Sequence, residues 1–184
     1  IVTHPNVLLM DEPLSNLDAK LRVDMRLAIK EIQKQLNITT IYVTHDQEEA
    51  LAISDRIAVM SNGVVQQVDN PEVIYKKPAN KFVSNFIGTS NFIEGTVVDN
   101  QTLKIDDYTF KFNHTATVGE RVSISVRPEQ FEISETEGIK GKIVLSTFLG
   151  DFINYEVELE NGSIVEVNEY TGIMREEENL RIKP

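Results

Sequence analysis

Val7-Leu8-Leu9-Met10 is an unbroken apolar run that stops abruptly at Asp11-Glu12-Pro13. So short a run predicts a strand buried on both faces of a parallel sheet, ended by the proline. From Asp18 to Asn37 the period changes. Leu21, Met25, Ile29, Ile32 and Leu36 recur at helical spacing with Lys, Arg, Glu and Gln between them, which predicts an amphipathic helix of about five turns. Residues 39–44 are rich in β-branched side chains and read as a second strand. Asp46, with Glu49 at the reciprocal capping-box position, opens a short helix through Ala50, Leu51 and Ile53. The runs 56–60 and 64–68 flank Asn62-Gly63, a hairpin signal. Asn70-Pro71 and Lys77-Pro78 then introduce two short helical stretches, the second presenting Phe82, Val83, Phe86 and Ile87.

Beyond Gly88 the texture shifts to short β-rich runs separated by turn residues: 92–98, 102–106, 108–112, 121–127, 139–149, 152–159 and 163–167. Ile153, Tyr155, Val157 and Leu159 alternate cleanly before Asn161-Gly162. This predicts a small antiparallel barrel or sandwich. The expected organisation is an α/β domain over 1–87 followed by an all-β domain over 88–184.

Composition narrows the functional classes. The 184 residues contain no Cys and no Trp, which excludes a disulfide scaffold and any thiolate metal site. No apolar run approaches the roughly 18 to 20 residues needed to span a bilayer, so direct membrane insertion is not expected. The net charge is −11, and residues 87–184 carry most of it, with 9 basic against 18 acidic side chains. An acidic surface without a basic stripe argues against nucleic acid and anionic lipid as partners. Membrane association is expected only through a protein partner.

Candidate chemistry sits where the two α/β strands end. A right-handed β-α-β crossover brings the carboxyl ends of both strands to one edge, where ligands bind in open α/β folds. Asp11 and Glu12 end the first strand and His45 follows the second, so two carboxylates and an imidazole are expected on one rim. A hard carboxylate suits Mg²⁺ through water, and a second beside it can orient or deprotonate an attacking water. Each piece has a plainer reading: a strand meeting its loop, a surface histidine, and Ser15 or Asp18 as a helix N-cap.

Their joint order is more specific. Leu8-Leu9-Met10-Asp11-Glu12-Pro13-Leu14-Ser15-Asn16-Leu17-Asp18 resembles the Walker B strand and D-loop of ATP-binding cassette ATPases, and Val43-Thr44-His45-Asp46-Gln47-Glu48-Glu49-Ala50 resembles their switch-histidine loop. The stretch from Ser54 through Gly63, Pro71 and Tyr75 to Gly88 is similar to the importer branch handling sugars, polyamines and iron. Val126-Arg127-Pro128-Glu129 in a β-rich tail resembles the regulatory transport-associated OB domain. The resemblance covers nearly the whole chain. It implies the C-terminal α/β part of a P-loop ATPase domain followed by an all-β OB-like barrel. Carried over residue by residue, Asp11 would bind Mg²⁺, Glu12 would be the general base, and His45 would contact the γ-phosphate of ATP. Ser15, Asn16 and Asp18 would form a D-loop that communicates across a dimer of two copies. The implied partners are integral membrane permease subunits, and the implied location is cytoplasmic, peripheral on the inner face of the cell membrane. The segments flanking Arg56 and Phe82 favour iron or polyamine slightly over sugar.

Phosphoryl transfer needs a cradle of the form G-x-x-x-x-G-K-[ST]. These 184 residues contain none, nor a Leu-Ser-Gly-Gly-Gln signature. The chain therefore reads as a fragment expected neither to bind ATP tightly nor to hydrolyse it, with apolar sheet edges exposed. The run from Glu176 to Pro184 is expected to stop where a last barrel strand would follow, leaving an edge that favours self-association. A competing reading is an oxyanion-binding OB-like module using Thr89-Ser90-Asn91 and Gly95, against which stands an ordinary linker turn. A soluble cassette ATPase acting on nucleic acid is disfavoured by the acidic tail.

Overall fold

A computed structural model describes residues 5–176 and 178–184. The chain divides into two compact units, one ending at Gly88 and one beginning at Thr89. In the first, β1 (Val7–Asp11), α1 (Ala19–Leu36) and β2 (Thr39–Val43) form a β-α-β crossover. β1 and β2 pair in parallel, with Val7 opposite Thr39 and Asp11 opposite Val43. Asp18 caps α1 by accepting the Leu21 N–H at 3.0 Å, and Asn37 ends it in the left-handed region.

Two expectations about burial are overturned here. Val7, Leu9, Ile41 and Val43 are exposed, so the β1–β2 sheet is covered on one face and not on both. The described residues supply only two strands and no layer for the far face. Helix α1 also turns the unexpected side inward. Leu21, Met25, Ile32 and Leu36 are exposed, whereas Arg22, Arg26 and Lys30 are half-buried. The reason is electrostatic: those three cations meet acidic and carbonyl oxygens on and around the next helix, as described below.

α2 (Gln47–Ile53), the hairpin β3 (Ile57–Ser61) and β4 (Val64–Asp69), α3 (Pro71–Lys76) and α4 (Lys81–Phe86) complete the first unit. The hairpin turns through Asn62 and Gly63, both at positive φ, as a two-residue primed turn requires. Asn70 and Asn80 cap α3 and α4 through the Val73 and Val83 N–H groups. A small core of Ile57, Val59, Ile74, Val83 and Ile87 holds these pieces together. Each such side chain contributes about 1.5–3 kcal/mol by leaving water.

The second unit consists of two antiparallel sheets around one core. Strands β5 (Asn91–Asp99), β6 (Thr102–Ile105), β7 (Tyr108–Lys111) and β8 (Arg121–Val126) run in the order β7-β6-β5-β8. Strands β9 (Glu132–Ser134), β10 (Ile139–Phe148), β11 (Ile153–Leu159), β12 (Ile164–Glu169) and β13 (Asn179–Lys183) run in the order β12-β11-β10-β13-β9. Inward residues of both sheets share the core, among them Ile93, Leu103 and Ile124 from one and Ile143, Tyr155, Val167 and Ile182 from the other. The tail expectation needs correcting. The run from Glu176 to Pro184 holds a strand of its own, β13, paired on both sides with β10 and β9. Leu180 and Ile182 are buried and supply the apolar face that makes this placement favourable. Glu177, within that run, lies outside the described residues.

Arg127-Pro128-Glu129 is no surface turn. Arg127 is buried, its guanidinium donates to the Thr89 carbonyl at 2.9 Å, and its N–H is taken by the Gln130 side chain. The oxyanion reading loses its groups in the same way. The Asn91 side chain is buried and spent on Glu166, donating to its carbonyl and accepting its N–H, both at 2.8 Å. A Cβ on Gly95 would meet Ile124 Cδ1 at 3.0 Å and the Lys104 carbonyl at 3.1 Å, so this glycine serves close packing.

Candidate functional site

The parallel register places Asp11 at the end of β1 beside Val43 at the end of β2. Glu12 continues the ladder, donating its N–H to the Val43 carbonyl at 2.8 Å, while its backbone turns into the left-handed region at φ 44. A non-glycine residue there carries strain of about 1 kcal/mol or more, the sort of outlier that clusters at functional sites. On the neighbouring strand end, His45 Nδ1 lies 2.9 Å from Glu12 Oε1. Both side chains are open to solvent, His45 at 72% and Glu12 at 47% exposure, so the rim is accessible to a ligand. The hydrogen bond to Glu12, reinforced by its charge, raises the His45 imidazole above its ordinary range.

Ser15 donates its hydroxyl to the Glu12 carbonyl at 3.0 Å, tightening the turn after the strand. Leu14 is buried and anchors this loop, while Ser15, Asn16 and Asp18 are exposed. The Asp18 carboxylate is occupied as the α1 cap. Among the described residues, no group of three or more His, Asp or Glu is placed to hold a metal ion. An exposed single carboxylate at Asp11 nevertheless fits Mg²⁺, which keeps several waters and takes one or two carboxylates together with substrate phosphates.

Beneath the rim lies a set of charges that the one-dimensional pattern did not reveal. Arg22 meets Asp46 at 3.0 Å and donates to the Leu17 carbonyl at 3.1 Å. Arg26 meets Asp46 at 3.3 Å and Glu48 at 3.0 Å, and Lys30 meets Asp55 at 3.3 Å and also donates to the Ile53 carbonyl. Glu49 is buried, with Oε2 accepting from Tyr42 Oη and Thr44 Oγ1, both at 2.9 Å. The expected capping box is therefore only half formed. Asp46 does accept the Glu49 N–H at 3.0 Å, but the Asp46 N–H goes to Thr44 Oγ1 at 2.9 Å and not to the Glu49 carboxylate. The spacing of Arg22, Arg26 and Lys30 on one helix face, with acids at 46, 48, 49 and 55, is the sequence signal that could have found this clasp.

Burial works against the charge of Asp46, but the Glu49 N–H and Arg22 outweigh it and hold the carboxyl below its usual range. A depressed folded-state value stabilises above the unfolded carboxylate range, about pH 4, and that stability is lost as pH falls through the folded value. Acidification below about pH 4 is thus expected to loosen α1 from α2 before the β-rich unit responds. Amide exchange resolved by residue would show it, and Asp46→Asn should be loosened already at neutral pH. An Asp46→Asn chain with wild-type exchange and an unchanged acid response would rule this attribution out.

The chain is similar to known proteins along most of its length. Residues 124–182, from within β8 to β13, match the TOBE domain family. The iron(III) import ATP-binding protein of Fusobacterium nucleatum is 50% identical over 173 residues, covering 91% of this chain and 46% of that protein. The spermidine/putrescine import ATP-binding protein of Clostridium acetobutylicum is 44% identical over 185 residues, covering 99% of this chain and 50% of its own length. A Pseudomonas aeruginosa protein of the same description is 42% identical over 180 residues. The chain spans about half the length of the curated relatives it matches. No helix among the described residues is long and apolar enough to cross a membrane. The chain thus carries a match to the TOBE domain in its β-rich unit and is similar, along 91% or more of its length, to the first two of these import ATP-binding proteins.

Proposed function

We propose that this chain carries the hydrolytic rim of an importer ATPase, with Asp11 as the Mg²⁺ ligand, Glu12 as general base and His45 as the contact to the γ-phosphate. The observation that carries the reading is the 2.9 Å approach of His45 Nδ1 to Glu12 Oε1, two residues far apart in sequence that meet at the shared end of β1 and β2. The names of the relatives, import ATP-binding proteins for iron(III) and for spermidine/putrescine, support it.

Bound Mg²⁺ supplies charge neutralisation at the β- and γ-phosphates. Asp11 would hold that ion at the strand end. Glu12 uses Oε1 for His45, and its Oε2 has no hydrogen-bond partner among the described residues, so that oxygen is left to orient the attacking water and take its proton. His45 donates from Nδ1 to Glu12, which leaves Nε2 to donate to the phosphoryl oxygens, a role favoured by its raised proton affinity. Ser15, Asn16 and Asp18 form an exposed loop directly after the base, suited to contact a second copy across an ATP-bound dimer. Permease subunits would bring the protein to the inner face of the cell membrane, and the cargo belongs to the iron or polyamine class. The TOBE domain would regulate this motor.

The 184 residues contain no phosphate-cradling loop, and we expect them alone to show no Mg-ATP turnover, in contrast to the full-length protein assembled with its permease subunits. Phosphate release assays on both preparations check this. Turnover by the short chain, or none by the assembled transporter, would overturn the reading.

A further inference from the structure

We infer that Glu49 is a positioning residue for His45: through the Thr44 hydroxyl its buried carboxylate fixes the backbone on both sides of the imidazole and so aims Nδ1 at Glu12. The functional weight of this inference rests on the proposed role of His45, whereas its geometry does not involve nucleotide.

His45 is largely exposed, and its only hydrogen bond among the described residues is the one to Glu12. With 72% of the side chain open to solvent, the direction of the ring depends on the bond to Glu12 and on the backbone that carries it. That backbone is closed into a ring of three hydrogen bonds. The Thr44 hydroxyl has one proton and gives it to Glu49 Oε2 at 2.9 Å. Its oxygen accepts the Asp46 N–H at 2.9 Å, and Asp46 Oδ1 accepts the Glu49 N–H at 3.0 Å. Thr44 and Asp46 are the two neighbours of His45, and both are referred to one buried carboxylate. Removing that carboxylate leaves the Thr44 proton without its acceptor and frees the hydroxyl to rotate away from the Asp46 N–H.

Glu49 is in turn held from the other side. Tyr42 Oη donates to the same Oε2 at 2.9 Å, and burial together with this carboxylate pushes the phenol's proton affinity upward, so it stays a donor. Arg22 Nε stands 3.9 Å from Oε1, too far for a hydrogen bond but close enough to offset the charge. A merely structural Glu49 would serve as the buried counter-charge of α1 alone. The Thr44 link distinguishes the two roles, because it joins Glu49 to the histidine loop and not to α1.

Long-range ¹H–¹⁵N correlation spectra of the 184-residue chain, recorded at alkaline pH where the imidazole is neutral, read the tautomer balance of His45 directly. The wild type should favour the Nδ1–H form bonded to Glu12. Thr44→Val and Glu49→Leu are each expected to lose that preference, Glu49→Gln to retain it because its amide oxygen can accept the Thr44 proton, and Tyr42→Phe to leave it in place. Should Glu49→Leu fail to fold, Thr44→Val still decides. A Thr44→Val chain with the wild-type balance, or a Tyr42→Phe chain that loses it equally, would overturn the inference. Failure of the ATPase reading would instead show as unaltered turnover in the full-length Glu12 variant, with these spectra unaffected.

Discussion

Glu12→Gln in the full-length protein is expected to lower ATP turnover about 10²–10⁴-fold, the usual contribution of a positioned general base. The amide keeps the shape of the side chain and can still accept the His45 Nδ1–H through its oxygen, so the rim geometry is preserved. What disappears is the capacity to take a proton from water. Because Glu12 acts in the transition state and not in ground-state binding, the loss should fall on kcat with little change in nucleotide affinity. Asp11→Asn provides the contrast: loss of the metal-binding charge should weaken Mg-nucleotide binding as well. Steady-state kinetics with a parallel equilibrium nucleotide-binding measurement separates the two outcomes. Wild-type turnover in Glu12→Gln would remove Glu12 from the role of base.

Tyr155→Ala should destabilise the β-rich unit by about 3–5 kcal/mol, as for other large aromatic truncations in a core. The side chain is fully buried at the centre of β11, and its hydroxyl donates to Glu169 Oε2 at 3.0 Å while accepting the Arg175 N–H at 3.2 Å. The ring therefore fills the core and its polar tip fastens the segment between β12 and β13. Tyr155→Phe isolates the second part. It should cost about 1–3 kcal/mol, since it deprives two partly buried groups of their partner. Chemical unfolding followed on amide signals of residues 89–184 would measure both, because the two units need not unfold together. A Tyr155→Ala loss below about 2 kcal/mol would contradict the packing described here, since even aliphatic core side chains cost that much when cut to alanine.

Much of the architecture was legible in one dimension because it is written in local rules. The proline after Glu12, the Asn-Gly pair at 62–63 and the alternation from Ile153 to Leu159 each act within a few residues, and the strands and turns fall where those signals stand. The candidate rim was also legible, because a right-handed crossover between two strands forces their ends together whatever lies between. Its 2.9 Å contact spans 33 residues and depends on the β1–β2 register, which no local pattern specifies.

Other features depended on which surfaces meet. Helix α1 carries an apolar stripe and a basic stripe, and periodicity alone makes the apolar one the inward face. In the described residues the basic stripe packs inward, because Asp46, Glu48, Glu49 and Asp55 face it and no apolar layer covers the other side. Glu49 at capping-box spacing is compatible with two hydrogen-bond arrangements. The hydroxyls of Tyr42 and Thr44, brought alongside by β2, select the one that points its carboxylate at the histidine loop. The last apolar alternation, Leu180 and Ile182, looked like an ending and proved to be an interior strand between β10 and β9. Strand and helix identity thus followed from period and punctuation, whereas the partner of each face, the register of Asp11 with Val43 and the aim of His45 were settled by three-dimensional packing, since burial and charge pairing are properties of surfaces in contact and not of spacing along a chain.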